Sequence, residues 1–268
     1  MSWPRIRSVS LMTFSVVLLS APGAPAITID QASRVVLASA SVNVPPTFTD
    51  DDAAGKSSSQ SGGFLEAAVA SAGLADISNV NGEALQESTL GLDGRGVLVA
   101  EGGASVGVSF DVFDPGFPSR ATGAGQTGFS LIFTTETSVV YDIGISLRAE
   151  LADLTVFSAP RPVDVDIMAT ALLVGASSGV IFERRIQDLL VDGLQETDTL
   201  SLFGTLAPDT YLLELFAQVE LQGFEDSVGF ATAGFGYDVT VVPEPRTGLL
   251  LGLGLALLSA LRAEHRRG

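Results

Sequence analysis

Period-two alternation of apolar and polar side chains runs through the chain from about Val97 onward and restricts the fold more than any other feature. Val106, Val108, Phe110 and Val112 share one face of an extended segment, as do Phe129, Leu131 and Phe133. Val139, Tyr141, Ile143, Ile145, Leu147, Ala149 and Leu151 alternate with Asp142, Ser146, Arg148 and Glu150. Tyr211, Leu213, Leu215, Ala217, Val219 and Leu221 alternate with Glu214, Gln218 and Glu220, and Ala231 to Val241 repeats the pattern. Strands with one face in a core and the other in water carry this signature. Glycine and proline mark the joins, as at Asp114-Pro115-Gly116 and Ala207-Pro208-Asp209. About seven or eight such strands with little helix predict an all-β, antiparallel β-sandwich, jelly-roll or immunoglobulin-like.

The pattern weakens toward the N-terminus. Val44-Pro45-Pro46, Asp50-Asp51-Asp52 and Ser57–Gly63 cluster the residues of loops. They predict a loosely ordered segment over 27–63, ahead of a sandwich over 64–242. Phe64–Gly73 (FLEAAVASAG) reads as two helical turns, and Gly175–Leu194 fits a short helix as well as a strand followed by a loop.

The C-terminal residues carry a different message. Gly248–Leu261 (GLLLGLGLALLSAL) has no charge, is preceded by Val241-Val242-Pro243-Glu244-Pro245, and is followed by Arg262, Arg266 and Arg267. As a helix it would span about 21 Å, short of a bilayer core of about 30 Å. Snorkelling arginines and local thinning can close that gap. The flanking prolines and the basic close predict a single transmembrane helix with its basic tail on the cytoplasmic side.

This order of features over 243–268 resembles the PEP-CTERM sorting domain of exported bacterial proteins. The resemblance rests on Pro243-Glu244-Pro245, the apolar stretch and the arginine-rich close. It implies recognition by an exosortase, a membrane-embedded cysteine protease or transpeptidase, with cleavage near the motif. Pro243, Glu244 and Pro245 are then substrate residues. The resemblance also implies association with exopolysaccharide and biofilm.

The N-terminus fits an export route. Arg5 and Arg7 precede the apolar run Val9–Leu19, and Ala24-Pro25-Ala26 offers small residues where signal peptidase reads them. This predicts a signal peptide over 1–26, cleaved after Ala26. The protein is therefore expected to be exported, anchored transiently in the inner membrane and then released to the cell surface or beyond.

Removing both ends sharpens the composition. Ile27–Pro245 holds 8 basic and 30 acidic residues, a net charge of −22, with no Cys, His or Trp. Such a surface repels polyanions, so no nucleic-acid partner is expected. Disulfides, zinc-thiolate sites and thiol nucleophiles are excluded, as are Ser-His-Asp and Cys-His catalysis. No cofactor is expected. Ala121–Gly128 (ATGAGQTG) superficially resembles a phosphate loop but lacks the Gly-Lys-Ser/Thr end.

Two carboxylates about 5–9.5 Å apart remain the one enzymatic route. Glu214 and Glu220 on one strand lie about 20 Å apart. Asp164 and Asp166 lie about 6.6 Å apart by the same rise, but their setting is that of a solvated face. Asp50–Asp52 and Asp226 lack the spacing of a calcium loop. Phe113 and Phe117 flank a turn and could stack on a sugar or cap the sandwich. The expectation is a non-enzymatic surface or extracellular-matrix protein. A carbohydrate-binding module is the alternative, and a two-carboxylate glycan-cleaving enzyme ranks behind it.

Overall fold

A computed structural model describes residues 26–44, 48–59, 61–74, 78–112, 119–156, 164–187, 194–224 and 227–243. Those residues form two six-stranded antiparallel sheets packed face to face, and among them there is no helix. The first sheet contains β1 (Ile27–Val44), β2 (Phe48–Ser58), β6 (Arg120–Thr135), β8 (Asp164–Gly175), β9 (Gly179–Gln187) and β11 (Asp209–Phe224). Its strand order is β2-β1-β6-β11-β8-β9. The second contains β3 (Phe64–Leu74), β4 (Ser78–Leu92), β5 (Leu98–Val112), β7 (Val139–Val156), β10 (Leu194–Leu206) and β12 (Ser227–Pro243). Its order is β10-β7-β12-β5-β4-β3.

The pairing of β5 to β12 is nested. β5 pairs with β12, β6 with β11, β7 with β10, and β8 with β9. This half of the molecule is one long hairpin, turned at Ala176–Ser178 and rolled so that successive pairs fall in opposite sheets. β1 and β2 extend one sheet beside β6, and β3 and β4 extend the other beside β5.

The alternating apolar residues from Val106 to Val241 are buried between the sheets, with Phe129, Phe133, Leu147, Leu173, Leu213 and Tyr237 among them. Phe129 stacks on Tyr237 across the sheets at 4.5 Å between ring centroids.

The N-terminal segment, expected to be loosely ordered, is built of strands. Ile27–Val44 and Phe48–Ser58 are strands, so the sandwich begins at Ile27 rather than at Phe64. Phe64–Gly73 lies within a strand and makes no helical turns. A narrow gap between the sheets explains β1 and β3, whereas β2 is an edge strand with no buried residue. A Cβ placed on Gly82 of β4 would lie 2.6 Å from the Ala124 carbonyl oxygen and 2.7 Å from that of Ser39, both in the opposite sheet. Only small residues fit such a gap, so Ala38, Ala40, Ala68, Ala70, Ala72 and Ala84 take the inward positions. On β3 the larger Leu65 and Val69 face outward, 66% and 62% exposed. Alanine inside and leucine outside hides the strand period and mimics a helix-forming stretch.

Gly175–Leu194, ambiguous between helix and strand, contains the end of β8, the turn Ala176–Ser178 and β9. Ile181 is the extra residue of a bulge there, since Leu173 pairs with Phe182 and Val174 with Val180.

Candidate functional site

Both segments expected to direct traffic meet the folded domain at one place. The Ala26 carbonyl accepts the Glu136 N–H at 3.0 Å, and Ile27 pairs with Thr135. At the other end of the chain Pro243 is the last residue of β12 and pairs with Val139. Glu136 opens the three-residue connection between β6 and β7, and Val139 is the first residue of β7 beyond it. Ala26 and Pro243 therefore leave the same end of the sandwich. Ala24, Glu244, Pro245, Arg262, Arg266, Arg267 and the apolar stretch lie outside the described residues.

That end is tied together by hydroxyls and carboxylates. Asp30 accepts from Thr134 Oγ1 at 2.6 Å, and Thr134 shares a 2.8 Å hydrogen bond with Thr210, linking β1, β6 and β11. Tyr211 at the start of β11 donates to the Ala207 carbonyl four residues upstream at 2.7 Å. Asp209 accepts from the Ser177 N–H at 2.8 Å, the Ser178 N–H at 3.2 Å and the Thr210 N–H at 2.8 Å. These donors favour the charged form and hold the Asp209 carboxyl well below its usual range, at about 2. In the β4–β5 turn Asp93 accepts from Arg95 and Val97 N–H groups, which lowers its pKa with the Val97 bond leading. Gly96 takes φ +77° there, a conformation other side chains resist.

The outer face of the β4-β5-β12 sheet holds an open concavity. A trough of about 680 Å³ is lined by Glu87, Thr89, Glu101, Gly103, Ser105 and Asp238 among others. Gly103 pairs with Glu87 on one side and Gly236 on the other, so the two glycines leave part of its floor without side chains. Glu101 and Asp238 stand opposite one another in the next row, and Thr89 donates to Glu101 at 3.3 Å. The chemistry on offer is acceptance of hydroxyl hydrogen bonds by exposed carboxylates. Among the described residues no three carboxylates gather closely enough to hold a metal ion.

The structure separates and recombines the candidate acids. Glu214 and Glu220 are exposed on β11, as are Asp164 and Asp166 on β8. Register brings Asp166 directly opposite Glu220, and Gln218 donates to Asp166 at 3.3 Å. Two carboxylates from different strands thus adjoin, a pairing no spacing along one strand could reveal. They sit on an outer sheet face with both side chains in solvent. Asp50 and Asp52 belong to edge strand β2, where they accept backbone N–H groups of β3. Ala121–Gly128 is the start of β6, a strand interior rather than a loop. Phe113, Phe117 and Asp226 lie outside the described residues.

One polar cluster is buried between the sheets. Arg34 of β1 is 1% exposed, donates to the Gly62 carbonyl at 2.9 Å and lies over the Phe64 ring at 5.8 Å. Burial lowers the Arg34 pKa and raises that of Tyr237, whose hydroxyl sits beside Ser88. Gln86 and Thr127 are buried in the same core and face one another at 3.5 Å.

No family model and no curated protein matches this chain. Among solved structures, that of the Gt strain of infectious bursal disease virus matches at 12% identity, covering 84% of this chain and 82% of the other, with a TM-score of 0.19. The structure of the Gx strain of the same virus matches at 10% identity over 83% of this chain and 67% of the other, again with a TM-score of 0.19. Scores this low carry no argument about fold or function.

Proposed function

We propose that this chain is an exported, non-catalytic surface or extracellular-matrix protein whose C-terminal tail is a sorting signal removed by an exosortase. The observation that carries the reading is the position of Pro243. The last strand runs straight into the Pro-Glu-Pro motif, at the same end of the sandwich as Ala26. A domain whose two processed ends emerge together can sit with that end toward the membrane and the remainder pointing away. The nested hairpin of β5 to β12 supports a jelly-roll reading of the sandwich, with β1 to β4 added beside it.

Processing breaks one backbone amide. Its acyl carbon passes to the protease thiolate and then to water or an acceptor amine, while the released amine takes up the proton. The test is the intact mass of the mature protein from its native host, beside a variant carrying Glu244→Ala and Pro245→Ala. The expected wild-type mass begins at Ile27 and ends near Pro243–Pro245, while the variant keeps Gly248–Gly268 in the inner membrane. A wild-type protein that retains its full tail overturns the reading.

The acid-lined trough favours carbohydrate binding as a second reading, since glycine leaves room for a sugar and carboxylates accept its hydroxyls. Gly103→Leu fills the floor. It is expected to abolish retention on the host's own exopolysaccharide, and unchanged retention removes this reading.

A further inference from the structure

The sorting motif follows the folded domain without a spacer. Val239 and Val241 are fully buried in the core, and Val241 pairs with Leu98 on β5 and with Tyr141 on β7. The next two residues keep only one neighbour, Val242 opposite Val140 and Pro243 opposite Val139. Val242 is exposed, and Pro243 has no N–H to give to the ladder. The grip on the chain thus steps down sharply after Val241. Four residues lie between Pro243 and Gly248, so the five Cα–Cα steps reach at most about 18 Å.

A protein that captures a peptide in extended form claims the backbone groups on both sides of the bond it acts on. Glu244 and Pro245 alone offer two residues before Arg246. Any further residue on the N-terminal side has to come from β12.

We propose that the end of β12 is a gate on processing: Val242 and Pro243 must leave β7 before the tail can be taken up as an extended substrate. The inference rests on the sorting reading of the tail. Val241 sets the limit of the opening, because peeling it would expose a core side chain and break pairing on two sides. A chain whose β12 is not yet seated has no such gate. The completed sandwich therefore slows its own release, and processing reports the local opening of one strand end.

A cross-strand lock tests this in the full chain. Val140 and Val242 are direct partners on the outer face, and opposed antiparallel residues lie about 4.5–5.5 Å apart at Cα, within the span of a disulfide. The chain has no cysteine of its own, so Val140→Cys with Val242→Cys can form only one intramolecular bridge. Tail removal is followed by pulse-chase and intact mass in the native host, with the bridge oxidised and after dithiothreitol. A second variant carries a four-residue Gly-Ser spacer between Val242 and Pro243, which keeps Pro243-Glu244-Pro245 intact. The oxidised lock is expected to slow tail removal about tenfold or more, with reductant restoring the rate, and the spacer to raise it above wild type. An oxidised lock processed at the wild-type rate overturns the gate and leaves the sorting reading standing. A wild-type chain that never loses its tail overturns both.

Discussion

Asp52 on β2 accepts the backbone N–H of Ser71 on β3 at 3.0 Å, joining the edge strand of one sheet to the edge strand of the other. Asp50 does the same for Gly73 at 3.0 Å, and Lys56 meets Glu66 at 2.6 Å two turns of the pleat further along. Exposed edges present unpaired N–H groups that recruit other chains. On this flank carboxylates fill that role, and on the opposite flank Arg184 of β9 reaches Asp198 of β10 at 3.6 Å.

Replacing Asp50 and Asp52 together by alanine should uncover the Ser71 and Gly73 N–H groups. Amide exchange at those two positions is expected to accelerate while β6 and β11 stay protected, with a loss of about 1–2 kcal/mol in stability. Unchanged exchange at Ser71 and Gly73 would contradict the edge-tie account.

Asp209 makes the fold acid-sensitive in a defined window. Its folded pKa of about 2 lies below the ordinary value of 3.8, so its contribution is complete above pH 3.8 and disappears as pH falls toward 2. Asp209→Asn should lower the Tm at pH 6, and the gap to wild type should narrow steadily below pH 4. Parallel melting curves from pH 6 to pH 2 would contradict this.

The narrow gap between the sheets predicts a sharp contrast between two glycines of β4. Gly82→Ala puts a methyl against two carbonyl oxygens of the opposite sheet and should cost about 1–3 kcal/mol by urea unfolding. Gly91→Ala meets nothing within 4 Å and should be neutral or slightly stabilising. Equal midpoints for the two variants would mean that the sheets have room to separate.

Arg34 fills volume as well as carrying charge. Arg34→Ala should lose about 2–4 kcal/mol, because it leaves a void beside Phe64. Arg34→Met keeps most of the volume and removes the desolvated cation, so its loss should be clearly smaller. Equilibrium unfolding of both variants separates the two contributions, and equal losses would assign Arg34's role to its charge.

Legibility in the sequence followed residue size. Where the inward positions hold Val, Leu, Ile and Phe, as on β7, β11 and β12, alternation alone located the strands and their buried faces. Along parts of β1, β3 and β4 the inward positions hold alanine, as at Ala38, Ala40, Ala68, Ala70, Ala72 and Ala84, and hydrophobicity marks the core less clearly there. The aspartates of β2 looked like a solvated run because the N–H groups that donate to them lie on another strand. The Asp166–Glu220 pair and the trough depend on cross-strand register, which no single segment contains. Pro243-Glu244-Pro245 was readable as residues, but its place directly after a core strand became visible only once β12 was seen to end at Pro243.

β12 is also the central strand of its sheet, flanked by β5 and β7. Without it β10-β7 and β5-β4-β3 share no edge, and one face of the molecule is two separate ribbons. The order of synthesis therefore matters. While the C-terminal residues are still inside a ribosome or an export channel, half of the core has no lid, however long the rest of the chain has been free. Completion of the domain waits for Val241 to emerge, which makes β12 the keystone of assembly.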